Sequence, residues 1–347
     1  METVDARLRR AVAGLNSIRR SGGQGAGANL FLNGINSLYA TNRPLIIVDG
    51  MPFEANDYGQ SLVANNYTNP LSIIDVKDID RITVLKDAAG IYGAKGAHGA
   101  IIITTVSAEG RQATQIDAGV FASFNVAPQN LPLLNVSDYR SHLSRMLATS
   151  GMTAEEIAAQ PFMVDNVSSP DYYKYHNNTD WQRKVFNNSM NQNGYVRITG
   201  GDNIATYGLT VGYLKNTGII KNTELVRYHT RFNADFNFTE KLTGKVNLSF
   251  SYNEQNLKDQ GIADKTGPLF NALVKSPFLA DRERAADGTE SPNLEAVDIL
   301  GLSNPVVLTD LLQASNKYYR FFGSYGFKFE INKYMAASTL IGIQFDK

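Results

Sequence analysis

The strongest constraint on the fold is a two-residue alternation in the carboxy-terminal part of the sequence. In residues 228–238 the even-numbered side chains are aromatic, small or Thr, and the odd-numbered ones are His, Arg, Asn and Asp. Successive side chains of a β-strand point to opposite faces, so this segment predicts a long strand with one apolar and one polar face. The alternation resumes over residues 242–252 after a turn at 239–241. The two segments therefore predict a β-hairpin.

Similar segments recur, and the links between them alternate in length. We expect about seven antiparallel strands, and the others lie near residues 116–124, 195–199, 205–213, 319–331 and 335–345. The turns near Gly201, Glu240 and Asn332 are short, whereas the remaining links are longer. Short turns on one side, long loops on the other and strands of about ten residues are typical of outer-membrane barrels. A soluble sandwich would favour strands of about five or six residues with closely spaced turns.

The two longest links, near residues 126–192 and 254–316, are predicted to be extracellular loops. The first contains a predicted helix over 137–150 with Ser at its first position as the N-cap, and a second short helix is expected at 153–156, where Thr and Glu have capping-box spacing. A further helical stretch is expected near 269–275. Loops of this length in a compact architecture usually have a function.

A cluster of aromatic side chains in the first long loop is a candidate surface for contact with a substrate or a partner. Its residues are Tyr172, Tyr173, Tyr175, Asp180 and Trp181. Aromatic rings beside amide side chains suit contact with sugars, because a ring offers an apolar face and a polar edge. The competing interpretation is the ordinary composition of a solvated loop.

The amino-terminal part has a different pattern. Residues 1–110 are predicted to form a small α+β domain, and residues 111–347 the β-sheet that follows it. A helical stretch at 6–15 precedes a Gly-rich loop, and short apolar runs follow, the last at 100–105. In residues 86–99 Gly recurs at every third position, which matches neither of the common phosphate-binding motifs. These glycines are therefore interpreted as turn and packing positions.

Composition and ionisable residues exclude several classes of function. The chain has 33 basic and 33 acidic side chains, which argues against a general nucleic-acid binder. It has no cysteine, so a disulfide scaffold and a cysteine nucleophile are excluded. The four histidines are far apart in sequence, so no metal site, no cofactor and no enzymatic activity are expected. Asp78 and Asp80 are interpreted as solvated or capping carboxylates rather than as a glycosidase pair.

Two blocks of the amino-terminal domain carry a specific signature. The first is LIIVDGMP at residues 45–52, and the second is DIDRITVLKDAAGIYGAKGAHGAIIITT at residues 78–105. Together they closely resemble the plug signature of SusC/RagA-like TonB-dependent outer-membrane transporters of Bacteroidetes. Downstream, TDW at 179–181 and RFN at 231–233 resemble further marks of the family. The residues of the signature are Asp49, Gly50, Pro52, Leu85, Lys86, Asp87, Tyr92, Gly93, Gly96 and Gly99. Their expected role is structural.

The resemblance implies an α+β plug domain followed by an antiparallel transmembrane β-barrel, of which this chain would hold about seven of roughly 22 strands. It also implies import of oligosaccharides or peptides across the cell outer membrane, energised by the TonB complex and assisted by a SusD-like surface lipoprotein. Outer-membrane lipid would contact the outside of the barrel. The sequence shows no signal peptide and no TonB box, so we expect both, and the remaining strands, in a longer protein.

Two other functions stay open at this stage. One is a TonB-dependent receptor for a siderophore or a cofactor, which iron-regulated expression would favour and a neighbouring SusD-like gene would argue against. The other is a soluble β-protein that binds or processes glycans, which would be monodisperse without detergent. The identity of the substrate and the residues that contact it are not predicted by these patterns.

Overall fold

The computed structural model describes residues 3–19, 21–35, 37–38, 41–54, 63, 66, 69–108 and 110–347. The helices are α1 (Val4–Ala11), α2 (Ala89–Tyr92), α3 (Val136–Thr149), α4 (Ala154–Ala158), α5 (Tyr172–Tyr175), α6 (Trp181–Val185), α7 (Pro268–Val274) and α8 (Pro305–Asp310). The strands are β1 (Asn16–Ile18), β2 (Asn29–Phe31), β3 (Leu45–Val48), β4 (Met51–Pro52), β5 (Ile79–Leu85), β6 (Ala100–Thr105), β7 (Gln112–Asn125), β8 (Ser189–Gly201), β9 (Ala205–Thr217), β10 (Glu224–Asn237), β11 (Leu242–Asn256), β12 (Arg282–Arg284), β13 (Glu290–Leu294), β14 (Ser315–Asn332) and β15 (Met335–Asp346). Within these described ranges, no helix combines the length and the apolar character needed to cross a lipid bilayer.

Seven long strands form one antiparallel sheet, which we call the wall. Its order is β7-β8-β9-β10-β11-β14-β15, so strands that are neighbours in the wall follow one another along the chain apart from the small β12–β13 hairpin. Strands β14 and β15 contain 18 and 12 residues, and the other five fall between these lengths. The register pairs Arg231 with Thr210 on one side and with Ser249 on the other, so the polar positions share one face. The predicted seven strands with alternating faces are confirmed.

The amino-terminal domain, which we call the plug, is built on a four-stranded sheet in the order β4-β3-β6-β5. Strand β3 is parallel to β6, and β5 is antiparallel to β6. Ile101 and Ile103 of β6 are fully buried, and Val4 and Leu8 of α1 pack into the same core. Helix α1 spans Val4–Ala11 rather than the predicted 6–15, because Val12 already has an extended backbone.

The two long loops pack against each other at the end of the wall opposite the short turns, and we call this assembly the loop layer. Its core includes Trp181, Val185, Phe278 and Leu279, each at most 3% exposed. Helix α4 begins with the predicted capping box. Helix α3 has a different N-cap from the predicted Ser, because the side chain of Asn135 accepts the hydrogen bond from the Asp138 amide.

Candidate functional site

The polar face of the wall holds the plug through three pairs, each formed by a basic side chain and a carboxylate, that are buried between wall and plug. Three basic side chains of β10 occupy every second position of the strand, so all three point to the plug. Three carboxylates of the plug pair with these side chains. We call this set the latch; its pairs are Arg227 with Asp75, His229 with Asp78 and Arg231 with Asp49.

The Asp49 pair joins three elements. Asp49 and Gly50 form the tight turn between β3 and β4, and both have a left-handed backbone with φ of 49° and 86°. The Asp49 carboxylate accepts hydrogen bonds from the backbone and the hydroxyl of Thr105, both at 2.8 Å. It also accepts one from Arg231 at 3.0 Å, while Asn233 donates to the Thr105 hydroxyl at 2.8 Å. The turn is therefore fixed to the end of β6 and to the wall together.

The Asp78 pair is formed at the next plug-facing position of β10, two residues from Arg231. The Asp78 carboxylate is 3.0 Å from Nε2 of His229 and 3.5 Å from a guanidinium nitrogen of Arg197 on β8. Gly212 of β9 faces His229 in register, and a Cβ atom there would overlap the imidazole ring. The glycine gives the ring the space to reach the plug. The interpretation of Asp78 as a solvated or capping carboxylate is wrong, because the residue is 3% exposed and paired with two basic groups of the wall.

The Asp75 pair is the third part of the latch. One Asp75 oxygen accepts the amide of Lys77 at 2.9 Å, and the other pairs with Arg227, which also donates to the carbonyl of Ser72. Lys77 reaches the wall beside this pair, because its ammonium donates to Asn193 at 2.9 Å and lies 3.4 Å from the centre of the Phe121 ring. A cavity of about 550 Å³ lies next to these groups.

The surroundings of Asp78 favour the charged form of its carboxyl group. Burial raises the pKa of Asp78, but the hydrogen bond and charge of His229 and the charges of two nearby arginines outweigh burial and hold that pKa below its usual range. Burial is also the largest influence on Lys77, whose pKa it lowers; the charge of Asp75 offsets part of this effect and that of Arg227 adds to it. Asp78 is therefore ionised at neutral pH.

The residues of the plug signature lie at turns and at points of close packing. Gly99 has a φ of +82°, and a Cβ atom there would lie 2.7 Å from Leu32 and 2.8 Å from the carbonyl of Leu85. The glycines at 93 and 96 flank a short turn after α2, and Tyr92 packs beside the buried Ala88. The remaining members are Pro52, which ends β4, and the exposed Lys86 and Asp87 that precede α2. Asp49 alone among the signature residues belongs to the latch.

The aromatic candidates of the first long loop divide into two groups. Trp181 is 3% exposed and its indole donates to the carbonyl of Ser276 at 3.0 Å, so it holds the loop layer together. Tyr175 is 8% exposed and packs in the same core. The other three candidates, Tyr172, Tyr173 and Asp180, are half-buried or exposed; Asp180 is the N-cap of α6. They stay predicted contacts.

The sequence does not identify the latch as a site, although the alternation places two of its basic side chains, His229 and Arg231, on the polar face. The signal was present: three basic side chains at alternate positions of one strand predict three anionic partners across that face. The partners themselves could not be named. Arg227 lies 152 residues from Asp75, and Arg231 lies 182 residues from Asp49.

A small α+β domain held by buried pairs on the polar face of a seven-stranded sheet, whose other face exposes apolar side chains, is typical of the plug and part of the wall of a β-barrel. Residues 2–100 match the TonB-dependent receptor plug domain. SusC of Bacteroides thetaiotaomicron, a TonB-dependent receptor, is 28% identical over 270 residues, which cover 75% of this chain and 24% of SusC. Together these findings show that the chain contains a TonB-dependent receptor plug domain and resembles a fragment of a SusC/RagA-like TonB-dependent transporter.

Two further comparisons agree with this classification. The TonB-dependent receptor P26 of Formosa agariphila is 28% identical over 256 residues, covering 73% of this chain and 23% of that protein. The structure of the RagAB peptide importer in its open-open state superposes with a TM-score of 0.76 at 18% identity, covering 99% of this chain and 39% of that one. The likeness to RagAB shows a shared fold. The chain spans about a quarter of the length of the relatives it matches in sequence.

Proposed function

We propose that this chain forms the plug and part of the barrel wall of an active transporter that imports oligosaccharides or peptides across the outer membrane. The observation that supports this most directly is the latch. It fixes the plug on the polar face of the wall by reversible contacts, so the plug can close the lumen and still be released. The division at residue 110, between β6 and β7, is our proposed boundary between plug and barrel. The substrate is moved without chemical change.

The outward face of the wall supports an outer-membrane location. It exposes large apolar side chains; for example, Val120 is 89% exposed and Phe345 is 60% exposed. Towards the loop layer a row of tyrosines crosses four neighbouring strands, with ring centres 5.1, 6.3 and 4.7 Å apart. Its members are Tyr213, Tyr228, Tyr252 and Tyr319. Aromatic girdles of this kind lie at the interface between lipid and water in outer-membrane barrels.

The latch also supports a need for external energy. Breaking a buried ion pair by removing one partner costs about 3–5 kcal/mol, because the other charge stays buried and unpaired. If the plug moves before water hydrates the separated charges, each pair of the latch that breaks incurs this cost. We infer that the TonB complex supplies the work, and that the substrate passes when the latch is open.

The loop layer supports docking of a partner at the outer mouth. Several of its large apolar side chains are between 51% and 66% exposed, which is unusual for loops that contact only water. They include Leu131, Leu133, Met146, Val167, Leu300 and Leu311. We propose that a SusD-like lipoprotein covers part of this surface as a lid, and that Tyr172, Tyr173 and Asp180 lie near its edge.

A crosslink between the plug and the wall tests the proposed function. The chain has no cysteine, so an introduced pair is the only disulfide that can form within it. The side chains of Thr105 and Asn233 touch at 2.8 Å across the latch, so Thr105→Cys with Asn233→Cys should join plug and wall. We expect uptake by cells to stop when this pair is oxidised and to return after reduction.

The matched control is a pair within the wall. Asn247 and Ser324 lie on neighbouring strands with their side chains 3.1 Å apart, so Asn247→Cys with Ser324→Cys should leave the plug free. Uptake of labelled oligosaccharides and of labelled peptides is measured separately, in cells that have no other copy of the transporter. Equal uptake by the oxidised and reduced forms of the plug–wall pair would contradict the proposal.

A further inference from the structure

A polar cavity of about 690 Å³ lies where the wall meets the loop layer, and we call it the rim cavity. It is bordered by the ends of β11 and β14, by the β9–β10 loop and by the end of α8. Amide, carboxylate and hydroxyl side chains provide most of its polar lining; they are Asn222, Glu254, Asn256, Asp310, Gln313 and Ser315. This set both donates and accepts hydrogen bonds.

The rim cavity opens on the outside of the wall and not into the lumen. Gln255 donates to the carbonyl of Gln24 in the plug, so Gln255 points inward. Its neighbours Glu254 and Asn256 therefore point to the opposite face. Ser315 pairs with Asn256 in register and shares that face. The cavity is thus separated from the path between plug and wall.

The tyrosine row fixes the height of the rim cavity relative to lipid. Tyr252 belongs to that row, and Glu254 is the next outward residue above it on β11. Two residues of a strand advance by about 7 Å, so the cavity begins just above the aromatic girdle. The layer above the girdle holds lipid headgroups rather than hydrocarbon chains.

The charges around the rim cavity argue against an anion as its ligand. Lys317 pairs with Glu254 at 3.0 Å, and Lys215 pairs with Glu224 at 3.1 Å, so these two lysines already have carboxylate partners. Lys258, which also borders the cavity, is 3% exposed and donates to the carbonyl of Leu312. The cavity therefore presents balanced charge with carboxylate and amide oxygens at its surface. A neutral ligand with many hydroxyl groups fits this lining.

We propose that the rim cavity binds a neutral saccharide carried by an outer-leaflet glycolipid. Gln313 is exposed and its amide makes no side-chain hydrogen bond within the described part of the chain, so it is free to meet hydroxyl groups. Asn222 is held in a left-handed backbone with φ of 58°, and its amide donates to the carbonyl of Thr309, which fixes one side of the cavity. The inference rests on the proposed outer-membrane location.

The test uses the protein extracted from its own outer membrane in detergent, and three probes. The probes are lipopolysaccharide from the same cells, its sugar part released by mild acid, and inorganic phosphate. We expect the double variant Gln313→Ala with Ser315→Ala to bind lipopolysaccharide at least tenfold more weakly than the unaltered protein. Gln192→Ala is the matched control, because Gln192 is exposed on the same face at the same height, three strands away from β11. Its affinity should not change.

The outcomes distinguish a lipid-bound sugar from a free sugar. They also distinguish failure of the rim-cavity proposal from failure of the proposed location. Binding of the released sugar that is also lost in the double variant supports saccharide recognition by the cavity, with a free glycan as a second source. Competition by phosphate, or equal binding by the double variant and the unaltered protein, would overturn the site. Loss of the protein from the outer-membrane fraction would instead refute the proposed location, and that fractionation is measured first.

Discussion

Replacement of Asp78 by Asn should weaken the hold of the wall on the plug by a measurable amount. The Asp78 side chain is 4% exposed, 3.0 Å from His229 and 3.5 Å from Arg197. Asn has the same shape but no charge, so both basic groups stay in a dry interface without their anion. Removal of one partner from a buried pair costs about 3–5 kcal/mol. Because the amide keeps some hydrogen bonding, we expect about 3 kcal/mol, which is roughly a hundredfold increase in the population of released plug.

The assay follows the exposure of one thiol in the plug. The chain has no cysteine, and Ser72 of the plug is 5% exposed with its hydroxyl 3.3 Å from that of Tyr318 in the wall, so Ser72→Cys gives a single reporter that becomes reactive when the plug leaves the wall. The rate of reaction with a thiol-specific disulfide reagent is measured on the membrane-embedded protein, with and without Asp78→Asn. Asp80→Asn is the control, because Asp80 is exposed two positions away. Rates for the Asp78 and Asp80 variants within threefold of each other would refute the role assigned to the latch.

The same reporter tests the pH dependence of the latch. The pKa of Asp78 is lowered in the folded protein, chiefly by His229 acting against burial. A carboxyl group whose folded pKa is depressed contributes stability above its unfolded pKa, about 3.9, and loses it as the pH falls through the folded value. The reporter rate, divided by that of the unfolded chain, should be flat above about pH 5 and rise below about pH 4. In the Asp78→Asn variant, the part of the rise due to Asp78 should be absent.

The remaining predictions concern one glycine and one lysine. Gly212→Ala should push the His229 ring away from the plug and raise the reporter rate tenfold or more, while Gly194→Ala, whose new Cβ would find its nearest neighbour at 3.8 Å, should leave the rate unchanged. Lys275→Met should make the loop layer sensitive to added protease, because the Lys275 side chain is fully buried and its carboxylate partner lies 2.7 Å away. Lys184→Met removes a similar pair that is 44% exposed at the lysine, so its protease sensitivity should change little.

The wall could be predicted from the sequence because its signal is local. Alternation at every second position fixes the strand and its faces, and link lengths fix the order of neighbours in an up-and-down sheet. Strand ends were less certain: β8 begins at Ser189, six residues before the predicted start at 195. Residues 189–193 alternate inward Ser and Asn with Met and Gln, and without apolar contrast that alternation is difficult to recognise.

The latch and the role of Trp181 could not be predicted in the same way. Both depend on contacts between segments about a hundred residues or more apart, as in the hydrogen bond from Trp181 to Ser276. An aromatic residue in a polar loop has the same kind of neighbours in sequence whether its ring packs in a core or binds a ligand. Asp78 has the same ambiguity, because its neighbours in sequence do not reveal that two basic side chains of the wall approach it.

The chemistry of the latch suits a domain that must be held in register and then released. Among the described residues of the main plug core, Phe322 alone comes from the wall, where it packs on Phe53 with ring centres 5.5 Å apart. The plug therefore completes most of its apolar core by itself and contacts the wall mainly through polar groups.

Burial of apolar area between plug and wall would contribute about 25 cal/mol for each Å², but it would hold the plug without fixing its position. Ion pairs add little net stability over apolar contacts of the same shape, yet a misplaced plug leaves each charge unpaired at a high cost. Because water can hydrate both partners once they separate, the latch combines a defined docked position with a release that external work can drive.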